Sequence, residues 1–226
     1  MGNYTLAQYR TRLWMSMDNR PDLDPGVPAN EVMMNGWIND AYTHICDPKI
    51  YRHPAMQDTD LIALVAGIRI YALNDDIWSI RFVRLVDGSN ANIKTLQPQS
   101  QQKILETTAA TGEPSFYGRS ENSIGVDTLP GASDVGKVMI VYYWKTPALL
   151  ALDASTTDIA GRFDPGLLKF AAGYGWADQN QFERSDQCFA LGAALVNDVG
   201  DVESQERMDD ENWSFSIETV GHQRTT

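Results

Sequence analysis

Val138-Met-Ile-Val-Tyr-Tyr-Trp144 and, beyond Pro147, Asp164-Pro-Gly-Leu-Leu-Lys-Phe-Ala-Ala-Gly173 decide how the chain folds. The first run is apolar at nearly every position and rich in β-branched and aromatic residues. That pattern predicts a central strand covered on both faces. In the second, Asp164-Pro165 reads as a cap followed by a first-turn proline. It predicts a helix over 166–177 with Leu167, Leu168, Phe170, Ala171 and Tyr174 inward, at helical spacing. Pro147 marks the switch from one period to the other.

Working outward, the same switch occurs in reverse near the start. Thr5-Leu-Ala-Gln8 is a capping box, opening a helix to about Met17 with Leu6, Tyr9, Leu13 and Met17 on one face. Asp18 to Pro28 is a proline-rich loop. Asn30 then caps a second helix, Glu31 to Cys46, whose stripe is Val32, Met33, Trp37, Ala41, Tyr42 and Ile45, and Asp47-Pro48 ends it. Ile68, Ile70 and Ala72 alternate with Arg69 and Tyr71, and Ile80, Phe82 and Leu85 lie among Arg81 and Arg84. These are strands with one wet face, separated by Asn74-Asp75-Asp76 and followed by an Asp87-Gly88 turn. Pro98 to Thr107 reads as a short polar helix, and Phe116-Tyr117 and Ile124-Val126 flank a turn at Ser120-Glu-Asn122. A last helix is expected from Gln181 to Asp198, with Cys188, Leu191, Leu195 and Val199 as its stripe.

Short terminal helices cannot bury their faces alone. The expected architecture is therefore α+β: a helical bundle from residues 1–57 and 160–200, an inserted β-rich domain over 58–150, and an extended acidic tail over 201–226. The tail carries Trp213-Ser-Phe-Ser-Ile217, an alternating run too polar around it to build a core of its own. Trp213, Phe215, Ile217 and Val220 are the candidate partner-binding residues, anchoring on a neighbour by filling a groove or adding a strand.

The 226 residues are 43% apolar and 10% aromatic, ample for a packed core and incompatible with a wholly disordered chain. The longest apolar runs fall short of the ~20 residues of a membrane span, and the polar start, Met1 to Leu13, does not resemble a signal peptide. The net charge is −12, and residues 151–226 hold 5 basic and 14 acidic groups, so most of the excess lies in the last third. No basic stripe of the kind that grips phosphates is present. Cys46 and Cys188 fit no metal or redox spacing and read as reduced, buried thiols.

Candidate chemistry is thin. Asp40 and His44 stand one turn apart, with Asp47, His53, Asp58 and Asp60 nearby, but no second helical pair completes a metal site, and Asp58 and Asp60 read as loop residues. Only His44, His53 and His222 are available to a nucleophilic triad, and no serine has the matching context. Asp75/Asp76 and Asp209/Asp210 read as solvated pairs. Gly173-Tyr-Gly175 lies within a helix, where small residues permit close packing. No enzyme activity, cofactor or metal is expected.

In order along the chain come Thr5-Leu-Ala-Gln-Tyr-Arg-Thr-Arg12, Trp37-Ile-Asn-Asp-Ala-Tyr-Thr-His-Ile-Cys46 and Gly67-Ile-Arg-Ile-Tyr-Ala-Leu-Asn-Asp-Asp76. Thr111-Gly-Glu-Pro-Ser-Phe-Tyr117, Val141-Tyr-Tyr-Trp-Lys-Thr-Pro147 and the run from Phe163 to Gly175 follow. This series resembles the head-to-tail adaptor (connector) proteins of tailed bacteriophages, departing at Asn74, where such chains often have proline. The resemblance implies a structural virion protein made in the host cytoplasm and placed at the neck. It would form a ring of its own copies, dodecameric in such proteins, between the portal protein and a tail or nozzle protein, with genomic DNA passing through the lumen unbound. The alternative is a neck or tail component below that ring, a nozzle or fibre-anchoring protein. The acidic balance agrees with either, since lysine-lined walls would hold moving DNA; Asp178, Glu183 and Asp186 are candidate lumen residues.

Overall fold

A computed structural model describes residues 3–89, 91–106 and 110–200. The chain is mixed α and β, with five α-helices and a curled seven-stranded sheet among the described residues. It divides into two compact units, one from Met1–Tyr51 with the chain from Ala148 onward, the other Arg52–Pro147.

In the first unit, helix α1 (Leu6–Ser16) starts at the expected cap: the Gln8 amide donates to Thr5 Oγ1, and the Thr5 amide donates to Gln8 Oε1. Its stripe of Leu6, Tyr9, Leu13 and Met17 is fully buried. Helix α2 (Pro28–Cys46) begins a turn before the sequence suggested. Val27 is the cap and Pro28 takes the first position, where a missing N–H costs nothing. The Asn30 side chain does not cap the helix; it donates to the carbonyls of Asp22 (2.9 Å) and Asp24 (3.1 Å) and braces the preceding loop. The buried face is Met34, Trp37, Ile38, Ala41, Tyr42 and Ile45, while Val32 is 73% exposed. Val32 stands five residues before Trp37, a spacing that leaves the 3–4 stripe.

Helix α4 (Asp164–Asp178) is capped by Phe163, not Asp164. Asp164 lies inside the first turn, buried, and its carboxylate accepts from the Tyr4 amide (3.1 Å) and the Tyr9 hydroxyl (2.5 Å), tying α1 to α4. Helix α5 occupies residues 182–200. Its expected stripe is misplaced: Leu191 and Leu195 are exposed at 54% and 36%, and the buried line is Ser185, Gly192, Val196 and Gly200. Close approach to α4 selects for size, so the small residues go in and the leucines stay out. Ser185 Oγ donates to the Gly173 carbonyl (2.9 Å), and a Cβ at Gly173 would stand 3.1 Å from the Phe189 ring.

The second unit is the sheet, ordered β1-β7-β3-β4-β5-β6-β2. Its strands are β1 (Gln57–Ala63), β2 (Ile70–Ala72), β3 (Ile77–Val86), β4 (Asn92–Pro98), β5 (Phe116–Ser120), β6 (Ser123–Val126) and β7 (Val138–Lys145). All pairings are antiparallel except β4–β5. β7 is an interior strand, one in from the β1 edge and between β1 and β3, and one of its faces is sealed by Met139, Val141 and Tyr143. The other face is mixed: Trp144 is buried, while Ile140 and Tyr142 are partly exposed and Tyr142 stacks on Phe82 at 4.3 Å. Asp58 and Asp60 lie on β1, paired with Tyr143 and Val141, not in a loop. On β2, Tyr71 faces in, and Ile70 is 48% exposed. The Tyr71 hydroxyl donates to the Ile68 carbonyl, so the larger aromatic is buried with its polar tip satisfied.

Pro98 closes β4 instead of opening a helix, and α3 (Gln101–Glu106) starts beyond it. Gln101 rests on Gly118 and Gly125, which face each other across β5 and β6; a Cβ at either would stand 2.9 Å from Gln101 atoms. Where β3 slips register against β7, Arg119 donates to the Ile77 (2.5 Å) and Trp78 (2.7 Å) carbonyls.

Candidate functional site

Trp213, Phe215, Ile217 and Val220 lie outside the described residues, so the structure places none of them. Among the described residues, no group of three or more His, Cys, Asp or Glu side chains is arranged to hold a metal ion. Asp40 is exposed, and His44 turns into an aromatic wall instead of towards it. Asp75 and Asp76 have structural duties: Asp75 accepts from Asn122 Nδ2 (2.9 Å), and Asp76 from the Tyr143 hydroxyl (3.2 Å). Both cysteines are free thiols, Cys46 buried and Cys188 only partly so, and burial pushes both thiols above their ordinary range. A high thiol pKa leaves little thiolate for chemistry at neutral pH.

The first unit holds an apolar groove of about 470 Å³. The end of α2 contributes His44 and Ile45, the following loop Ile50, α4 Phe170 and Tyr174, and α5 Phe189, Ala193, Val196 and Asn197. The walls are set by ring packing. His44 lies 4.7 Å from Phe170, and Tyr174 meets Phe189 edge-on at 5.1 Å. The Tyr174 hydroxyl and His44 Nδ1 are 3.5 Å apart. Burial holds the imidazole below its ordinary pKa, with Asp47 pulling the other way, so His44 is neutral at pH 7. The groove therefore offers aromatic and aliphatic surface without a fixed charge. Such a lining fits an apolar side chain better than a phosphate or a metal.

Elsewhere on α5, apolar side chains stand in solvent: Phe182 is 63% exposed, and Leu191 and Leu195 share one outward edge, on the side of the helix away from the groove. Sequence reading assigned those leucines to the core, and so missed both the groove and the exposed edge of the same helix. The signal that was available is the glycine and serine line at 185, 192 and 200, spaced for close contact along one face. The acidic candidates Asp178, Glu183 and Asp186 are exposed on α4 and α5. Asp178 also accepts from Trp37 Nε1.

The family model described as SU10 adaptor protein matches residues 3–217, reaching across both units. The chain belongs to the SU10 adaptor protein family. A search of curated proteins finds no match. Family membership makes this chain a phage structural adaptor and a virion component. Among the described residues no helix is long and apolar enough to cross a membrane.

Proposed function

We propose that this adaptor is the head-to-tail joint of a tailed phage. Copies close into a ring, dodecameric as in the connectors the sequence resembles, which binds the portal protein on one side and a tail or nozzle protein on the other. Genomic DNA passes through the lumen without being held. Residues from the two ends of the chain make the helical unit, the β unit is an insertion between them, and residues 201–226 reach outward to a partner. The protein acts by association and not by catalysis.

The family match over residues 3–217 carries this reading. Two further observations support it. Leu191, Leu195 and Phe182 leave apolar surface uncovered on one helix, as head-to-tail contacts that close a ring require. The net charge of −12 suits a wall past which phosphates must slide.

Mixing the purified protein with purified portal protein and following sedimentation tests the proposal. The expected result is a stable complex with many adaptor copies per portal assembly, from a protein that is monomeric when alone, since a template completes weak interfaces. Binding to tail proteins without any to the portal would instead place it below the ring, as a nozzle or fibre-anchoring component.

A further inference from the structure

We propose that the apolar groove between α2, α4 and α5 receives residues 213–217 from a second copy of the chain. The inference rests on the ring assembly proposed above and names its stitching contact.

Position argues for this occupant. Val196 and Asn197 form one end of the groove and lie on α5 within a turn of residue 200. The remaining 26 residues of the chain therefore start beside the groove. Their apolar content is concentrated in Trp213-Ser-Phe-Ser-Ile217, whose period of two puts Trp213, Phe215 and Ile217 on one side when extended. The groove supplies what such a side seeks: aromatic walls from Phe170, Tyr174 and Phe189, an aliphatic rim at the half-exposed Ile50, and no fixed charge.

Charge in the connecting stretch argues for a second copy. Residues 201–212 carry six acidic groups (Asp201, Glu203, Glu206, Asp209, Asp210 and Glu211) against one basic, Arg207. A linker of like charges repels itself and extends. Folding back over the single helical turn that separates residue 200 from the groove would crowd those charges together. Extended, the twelve residues span roughly 40 Å at ~3.3 Å each. A unit of about a hundred residues has a radius of gyration near 13 Å, so this length crosses one unit and delivers Trp213 to the next copy's groove. Donor and acceptor surfaces then differ, a heterologous contact that closes a ring when the rotation allows.

The test uses full-length chains, all carrying Cys188→Ser. One preparation carries Trp213→Cys. The other carries Ala193→Cys, at an exposed position in the groove lining, and a larger affinity tag. Mixed at high concentration under mild oxidation, the two are expected to give a disulfide-linked heterodimer. Ile50→Asp on the tagged chain should reduce that product at least tenfold, and so should moving the donor cysteine to Ser204→Cys. Three results would overturn the proposal: no mixed product; a disulfide formed only within one chain that carries both cysteines; or loss of the mixed product when portal protein is added, with the tail captured there. Sedimentation of the same samples keeps the two readings apart. Rings without the mixed disulfide refute the groove assignment alone, whereas monomers under every condition, portal included, refute the ring as well.

Discussion

Gly175 and Gly36 are both helical glycines, and the same substitution should move stability in opposite directions at the two. A Cβ at Gly175, in the second half of α4, would stand 2.8 Å from Met17 Cε and 3.0 Å from Trp37 Cε3. Ordinary carbon contacts lie near 3.5–4.0 Å. Met17 is fully buried, and the Trp37 ring is held by its hydrogen bond to Asp178, so neither yields freely. Overpacking of this kind costs about 1–3 kcal/mol, and the gain in helix propensity from Gly to Ala offsets about 1 kcal/mol of it. Gly175→Ala should lose up to about 2 kcal/mol net. At Gly36, on the exposed side of α2, a Cβ meets nothing within 4 Å. Gly36→Ala should keep the whole propensity gain, about 1 kcal/mol. For a chain of this size 1 kcal/mol moves Tm by roughly 2–4 °C. Thermal unfolding followed by circular dichroism should put Gly175→Ala up to about 8 °C below the parent and Gly36→Ala about 2–4 °C above it. A Gly175→Ala protein stabilised as much as Gly36→Ala would refute the claim that α1, α2 and α4 pack through that glycine.

Tyr9→Phe removes the hydroxyl that donates to buried Asp164 and should cost about 2 kcal/mol at pH 7, as expected for a hydrogen bond to a charged acceptor; urea unfolding measures it. Burial raises the Asp164 pKa above its ordinary value, against the lowering by Tyr9 and Tyr4, so the folded chain holds that proton more tightly than the unfolded one. This group's contribution therefore grows as pH falls from neutral towards about 4, and Asp164→Asn should abolish the slope in stability over that window. Glu113 and Asp134 behave oppositely. Hydrogen bonds from Lys137 at 2.6 and 2.8 Å, with Lys94 aiding Glu113, hold both carboxyls below their usual range. Their contribution is present at neutral pH and lost on acidification below about 4, so Lys137→Met should flatten the acid limb of a Tm-against-pH curve. Ending the chain at residue 200 should leave Tm unchanged and reduce the number of copies assembled on the portal, because the contact between neighbouring copies is lost; an undiminished ring from the shortened chain would remove the tail from the assembly.

Much of this fold was legible because local signals and burial agree. The Thr5–Gln8 capping box, the 3–4 stripe of α1 and the proline after Asp47 each have a single physical reading, and the structure follows them. Errors arose where size or pairing, not polarity, decides. Leu191 and Leu195 are apolar yet exposed, because α5 meets α4 through Ser185 and Gly192. Tyr71 is buried in place of Ile70, because its hydroxyl finds a carbonyl. Strand β1, with Asp58 and Asp60 along it, looks too polar for a strand until its pairing with the apolar β7 is known. The groove was illegible for a related reason: His44, Phe170, Tyr174 and Phe189 are brought together only by the crossing of three helices, and each alone reads as core. The acidic tail and its Trp213 run were conspicuous in composition, and the groove gives that run a defined destination to test.

Cryo-microscopy of the assembled neck tests the central claim most directly. The account predicts a closed ring of copies of this chain seated against the portal, with the DNA path through its centre and the final segment of each copy resting on its neighbour. Particles whose portal meets the tail with no such ring, or isolated copies folded on themselves away from that junction, would contradict it.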